Sequence, residues 1–199
     1  VLTYVAAVTR KVRLGTSVLV LPYLNPIVLA KSLATLDVMS GGRLEVGVGV
    51  GAMKHESDSL GSDFENRGAY ANESIRVMRN LWADEDPEFE GSFFSYSGVK
   101  FSPKPIQKPY PPILIGGQGS SAMRRAASLG DGWHPNGSSP DKMASRIEKL
   151  GRIAESQGRS LSDLKISVRS ELDVLPSDSG SSESPTVGSK DQILETIDA

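Results

Sequence analysis

The sequence predicts an α/β fold in which about five βα units build a parallel sheet covered by helices. Three observations lead there. Short β-branched, apolar runs, each long enough for one strand, alternate along the chain with amphipathic helical patterns. The strand runs are apolar on both faces, which suits a parallel sheet with helices on both sides. Two of the strand runs end in glycines, at the sheet end where such folds bind their ligands.

The elements follow in order. Leu2, Val5, Ala6 and Thr9 have helical spacing and read as the last turns of a helix. Residues 12–20, VRLGTSVLV, read as one buried strand. In LNPIVLAKSLATLDVMSGG, Asn25 caps a helix, Pro26 takes its first position, Leu29, Leu33 and Leu36 share one face, and Gly41 stops it. RLEVGVG is the next strand, and the polar stretch MKHESDSLGSDFENRG reads as a loop. A helix over 66–83 aligns Ala71, Ile75, Met78 and Trp82. Residues 88–110, aromatic and proline-rich, form an excursion with the character of a loose hairpin. PPILIGG (111–117) is a buried strand, SSAMRRAASLG a short helix and DGWHP a brief strand end. A helix over 141–157 aligns Met143, Ile147, Leu150 and Ala154, and LKISVRSELDVL (164–175) is a fifth strand. The Ser- and Gly-rich run 176–189 reads as a flexible loop. Ser189 and Gln192 then form a capping box for a final helix. Residues 1–199 make a single domain, and the helical patterns at both ends read as a piece of a longer protein.

Two architectures fit five such units: an open doubly wound sheet, or part of an eight-stranded barrel. At roughly 40 residues per unit, eight units need more than about 250 residues, so a barrel calls for about three further units. Five strands of a barrel leave two open edges, which predicts that the chain associates with itself as a homo-oligomer, a dimer in the simplest case.

Composition removes several functions. Net charge is −2 with both signs interspersed, so there is no basic stripe for nucleic acid. Cysteine is absent, which excludes disulfides, thiolate chemistry and cysteine zinc sites and fits a cytoplasmic setting. The longest apolar run, TSVLVLPYL, is too short to span a bilayer. The two histidines, His55 and His134, lie far apart without metal-ligand spacing, so no metal is expected.

The stretch RLEVGVGVGAMKHE imitates a dinucleotide fingerprint, with Gly47, Gly49 and Ala52 in its three slots. That reading requires a helix starting in the glycine turn and an acidic strand end about 20 residues on. Neither is visible. Three glycines on one strand face suggest instead a bare strip against which something flat lies. A second site, ILIGGQGSSAMRRAA, runs from a strand through Gly116, Gly117 and Gly119 into a helix, whose N-terminal N–H groups suit phosphate.

RLGTSVLVLPYLNP, LDVMSGGRLEVGVGVG, RVMRNLWAD, FSPKPIQKPYPPILIGG and AASLGDGWHP, in this order, resemble the luciferase-like monooxygenase superfamily, most of all its deazaflavin (coenzyme F420)-dependent branch. The resemblance implies an incomplete (β/α)8 TIM-like barrel holding strands 3 to 7. Residues 12–20 would be the third strand, 43–49 the fourth, PILIGG the fifth, DGWHP the sixth and 164–174 the seventh. It implies a non-proline cis peptide at Ser17–Val18 behind the cofactor's central ring. It places Gly49 and Gly51 against the ring and ribityl chain, His55 in contact with the cofactor, and Gly116, Gly117 and Gln118 at its phosphate. The family's frequent Trp or Glu after the glycine run is Ala52 here. The usual acid–base set falls on strands this chain does not contain, which leaves His134 as the one catalytic candidate. The implied activity is hydride transfer between coenzyme F420 and a small organic substrate. The alternatives are an FMN-dependent monooxygenase and a shortened flavin-binding protein without catalysis. The aromatic residues Phe93, Phe94, Tyr96 and Phe101 are expected to pack a hairpin rather than wall a substrate pocket.

Overall fold

Element ends follow local side-chain chemistry. In the computed structural model, which describes residues 1–170, 173–174 and 187–191, Asn25 accepts hydrogen bonds from the Ile27 and Val28 N–H groups. Pro26 opens the helix they begin, and Gly41 closes it in the left-handed conformation at φ 69°. The helices are α1 (Leu2–Val8), α2 (Pro26–Ser40), α3 (Lys54–Ser59), α4 (Arg67–Ala83), α5 (Ser120–Leu129) and α6 (Pro140–Glu155). The strands are β1 (Leu14–Gly15), β2 (Leu19–Val20), β3 (Leu44–Gly49), β4 (Phe89–Glu90), β5 (Ser95–Tyr96), β6 (Ile113–Gly116), β7 (Gly132–His134), β8 (Lys165–Ile166), β9 (Asp173–Val174) and β10 (Val187–Gly188).

The main sheet is parallel throughout, in the order β1, β3, β6, β7, β8, with β2 also on β3, and it curls into a half-barrel. Leu14 pairs with Leu44, Leu19 with Val48, Val46 with Ile113, Leu114 with Gly132, and Gly132 with Lys165. Along β3 the side chains alternate. Leu44, Val46 and Val48 join the buried core under the helices, so Glu45, Gly47 and Gly49 face the concave side. Trp82 is fully buried, and its Nε1–H donates to the Ala30 carbonyl at 3.0 Å. Burying each such large apolar side chain contributes roughly 2–3 kcal/mol.

Several expectations are corrected. Residues 12–20 do not form one buried strand: β1 and β2 are two short pieces, and only Leu14 among the nine residues is buried. The peptide bond Ser17–Val18 between them is cis. The fifth strand is shorter than 164–175. Among the described residues only Lys165 and Ile166 join the main sheet, Asn136 bridges to Arg169, and β9 pairs in parallel with β10 in a separate sheet. Strand β10, followed by Ser189, occupies the end of the run expected to be a loop over 176–189; residues 176–186 lie outside the described residues, as does Gln192. The polar stretch after Ala52 contains α3, supported by a Lys54–Asp58 ion pair one turn apart and by Ser59 Oγ donating to the His55 carbonyl. On α2 Leu33 and Leu36 are buried as expected, together with Ala30, Ala34 and Asp37, and Leu29 is only partly buried. The stripe expected on α4 is buried in full.

Two buried carboxylates tie irregular segments to this frame. Asp37, fully buried, accepts from the Gln107 backbone N–H at 3.0 Å and side-chain amide at 2.7 Å, and that amide also reaches the Leu44 carbonyl. Glu73, 3% exposed, accepts from the backbone N–H groups of Ser92, Phe93 and Phe94 at 2.9, 2.7 and 2.8 Å. It thereby fastens the antiparallel β4–β5 pair to α4. A Cβ on Gly91 would overlap the Glu73 carboxylate, so glycine is needed there. Among the described residues no helix is long and apolar enough to cross a membrane.

Burial pushes the Glu73 carboxyl up, but its backbone donors and the Arg76 charge outweigh this and hold it below its ordinary 4.5. Its stabilising contribution is therefore complete above pH 4.5 and lost as pH falls through the lower folded value. Urea unfolding is expected to show Glu73→Ala losing about 2 kcal/mol, because three part-buried backbone donors lose their acceptor. Glu73→Gln is expected to lose less and to flatten the acid limb of the stability profile. Identical acid limbs in wild type and Glu73→Gln would contradict this role.

Candidate cofactor site at the C-terminal face

The cis bulge between β1 and β2 is inserted into the glycine strip. A Cβ on Gly47 would overlap the Thr16 carbonyl oxygen, and Thr16 Oγ1 donates to the Gly47 carbonyl at 2.7 Å. A Cβ on Gly49 would come within 2.8 Å of Val18 Cγ2, and one on Gly116 within 2.8 Å of Val18 Cγ1. The strip is therefore bare because the bulge lies on it. The surface offered outward is the bulge itself, with Ser17 and Val18 both exposed.

The Ser17 hydroxyl lies 2.7 Å from His134 Nε2. His134 Nδ1 lies 3.0 Å from the Ser167 carbonyl and 3.2 Å from its hydroxyl. One chain of hydrogen bonds thus joins the bulge, β7 and the residue following β8. The structure brings together Ser17, expected at the cofactor, and His134, the catalytic candidate, and gives both imidazole nitrogens protein partners.

Beside it lies the start of α5. Gly117 has φ 110°, and its carbonyl accepts from Trp133 Nε1 at 2.8 Å. In a trans peptide the following N–H, that of Gln118, points the opposite way. The first bond of α5 runs from Met123 N to Gly119 O, which leaves the Ser120, Ser121 and Ala122 N–H groups without a helical acceptor. A Cβ on Gly119 would meet nothing within 4 Å. Gln118 Nε2 donates to the Asn136 carbonyl at 3.2 Å. Backbone donors at a ten-residue helix start, with open space before them, fit a phosphate.

Gly51 has φ 78°, and a Cβ there would sit 3.0 Å from both Tyr23 Oη and Val20 Cγ1. Tyr23 donates to Glu56 Oε2 at 3.4 Å. Tyr23 also borders a cleft of about 280 Å³ whose walls include Leu60, Asp63, Asn66, Tyr70 and Phe93. His55 lies apart on the exposed side of α3. Phe93 and Phe94 each meet Tyr70 edge-on at 5.3 Å, Phe89 stacks on Tyr96, and Tyr96 Oη donates to Asn80 at 2.7 Å. The hairpin aromatics are packed, and Phe93, 39% exposed, also faces the cleft.

At the opposite ends of the strands, Glu45 on the concave face receives Arg13 Nε and Lys165 Nζ. Burial raises the Glu45 carboxyl, while bonds and charge from Lys165 and Arg13 lower it further, so the net direction is down.

The profile of luciferase-like monooxygenases matches residues 1–198. The chain belongs to the luciferase-like monooxygenase family. An uncharacterised protein of Mycobacterium tuberculosis is 35% identical to this luciferase-like chain over 153 residues, 77% of this chain and 52% of the relative. The FMNH2-dependent dimethylsulfone monooxygenase of Pseudomonas putida is 29% identical over 158 residues, 78% of this chain and 43% of that one. The coenzyme F420-dependent tetrahydromethanopterin reductase of Methanopyrus kandleri superposes with TM-score 0.72 and 26% identity, over 86% of this chain and 52% of that one. The chain spans about half the length of the curated relatives it matches. Relatives within the luciferase-like family use both flavin and deazaflavin, as their names state.

Sequence reading missed Ser167, Tyr23 and Glu56. Ser167 had a usable signal, since it lies two residues after Lys165 and so shares its face. Tyr23 and Glu56 meet only through the turn after β2 and helix α3, which no periodicity announces.

The interlock of bulge and strip in this luciferase-like chain makes a paired prediction. Gly47→Ala is expected to destabilise by about 3 kcal/mol, since backbone must move to admit the methyl. Gly15→Ala, where a Cβ meets nothing within 4 Å, is expected to change stability by under about 0.5 kcal/mol. Urea denaturation of both variants checks it, and equal stabilities would show that the strip tolerates side chains.

Proposed function

We propose that this chain contributes the cofactor-binding face of an oxidoreductase that moves hydride between coenzyme F420 and a small organic substrate. The observation that carries the reading is the exposed Ser17–Val18 bulge, seated on the glycine strip next to the unbonded N-terminus of α5. The residues present fit such a group. In this reading the N–H groups of Gln118, Ser120, Ser121 and Ala122 receive its phosphate, and the open space at Gly119 admits it. Gly116 and Gly117 keep the turn narrow enough for that approach. Ser17 and Val18 form a wall behind one ring face, with Gly49 holding the wall in place from below. Gly51 keeps Tyr23 close to the strand end. Bound deazaflavin supplies the carbon that gives or takes hydride. The protein's own part is to fix phosphate and ring and to keep water from one ring face. The cleft beside Tyr23 and Phe93 offers room for an organic substrate.

A second reading is supported by the Pseudomonas relative, whose name specifies FMNH2. Phosphate and a tricyclic ring are common to both cofactors, so the same residues serve either. Oxygen uptake with reduced FMN marks the second reading, because deazaflavin, with carbon at the hydride position, reacts little with oxygen.

Titration with oxidised and reduced F420 and with FMN is expected to give binding tighter than about 1 mM, with F420 preferred. Gly119→Asp is expected to weaken that binding about tenfold without loss of stability, since aspartate is a favoured N-cap and there is room for its side chain. If neither cofactor binds below about 1 mM, the reading is lost. If Gly119→Asp binds as tightly as wild type, the phosphate does not sit at α5.

A further inference from the structure

We propose that His134 is a positioning residue that holds the Ser17 hydroxyl as a hydrogen-bond acceptor toward the ligand, so that the ligand group met there is an N–H or O–H donor. A carbonyl has no proton to give. The Ser167 carbonyl, 3.0 Å from Nδ1, therefore places the proton of the neutral imidazole on Nδ1. Nε2 is left with its lone pair and accepts from Ser17 Oγ at 2.7 Å. A hydroxyl has one proton and two lone pairs. With the proton committed to Nε2, the exposed Ser17 oxygen offers the ligand acceptance alone.

The adjacent residue is fixed independently. Val18 has its two methyl groups against Gly49 and Gly116. The bulge is thus held from the strip side by packing and from the β7 side by His134, which fixes the direction of the remaining Ser17 lone pairs. The chain Ser167–His134–Ser17 consists of directional hydrogen bonds, so its orientation is set by geometry.

The identity of the ligand rests on the proposed cofactor-binding function; the tautomer does not. The chain has two histidines, and His55, on an exposed helix, serves as the internal reference. Long-range proton–nitrogen correlation spectra of the 15N-histidine-labelled chain are expected to show His134 protonated at Nδ1 and bare at Nε2. In Ser17→Ala the Nε2 signal is expected to move while the Nδ1 proton stays. A wild-type His134 protonated at Nε2 overturns the proposal, and so does an Nε2 signal unmoved in Ser17→Ala. The wild-type spectrum decides even where the variant folds poorly.

In titrations with oxidised F420, His134→Leu is expected to bind about tenfold more weakly. His134→Gln, whose amide oxygen accepts from Ser17, is expected to recover most of that loss. Unchanged binding in His134→Leu overturns the ligand-facing role. Absence of F420 and FMN binding in wild type defeats the proposed function instead, and leaves the tautomer to the spectra.

Discussion

The arrangement of this chain depends on one steric fit: a backbone carbonyl and a valine side chain seated in a strip of missing side chains. The Thr16 carbonyl occupies the space over Gly47, and Val18 that over Gly49 and Gly116. Neither partner can be built without the other. A side chain on the strip would force the bulge away from β3, and with it the register of β2, whose Leu19 and Val20 pair with Val48 and Gly49. Because interiors are close-packed, the displacement would not be absorbed locally. The glycines are thus required by the protein's own backbone before any ligand is considered.

Two polar links cross the concave side at opposite ends of the strands, and they differ in kind. At the N-terminal ends, Glu45 joins Arg13 and Lys165 and so ties β8 back to β3. The Arg13 and Lys165 side chains are 50% and 48% exposed, so water screens much of the attraction and the link contributes modestly. At the C-terminal ends the link is Ser17–His134–Ser167, made of directional hydrogen bonds. The ionic link accommodates small movements of the sheet, whereas the imidazole requires its partners in line. Geometric definition is thus concentrated at the end where the glycine turns and the start of α5 also lie.

Much of this was legible in the sequence, for physical reasons that differ by element. The caps of α2 and the stripe of α4 were readable because each depends on residues a few positions apart. Residues 12–20 read as one continuous strand because the interruption between β1 and β2 depends on Gly47, Gly49 and Gly116, which approach it only in the folded sheet. The stretch 164–175 reads as one strand because Asp173 and Val174 have strand character, but they pair with β10 outside the main sheet. Helix α3 was read as loop because its support is a surface ion pair and a hydroxyl bond, with no apolar stripe to reveal it. At the site, single positions were legible and their relations were not. Ser17 and His134 lie 117 residues apart, and only the β3–β6–β7 order brings them within 2.7 Å.

The glycines divide into two physical classes, and the division bears on function. At Gly47, Gly49, Gly116 and Gly132 a methyl group meets neighbouring atoms at once, so packing accounts for the residue. At Gly119 a methyl group meets nothing within 4 Å, and φ is −80°, a value any residue adopts. Neither space nor conformation calls for glycine there, and serine, aspartate or asparagine would cap α5 better by a few tenths of a kcal/mol. A glycine that packing does not require, before three unbonded N–H groups, supports an approach by something outside the chain. The strand glycines, which first suggest a ligand, are explained by the bulge. The helix glycine, which by pattern is an ordinary turn residue, is, like Gly15, not required by packing, and its place before the unbonded start of α5 supports the placing of the cofactor's phosphate there.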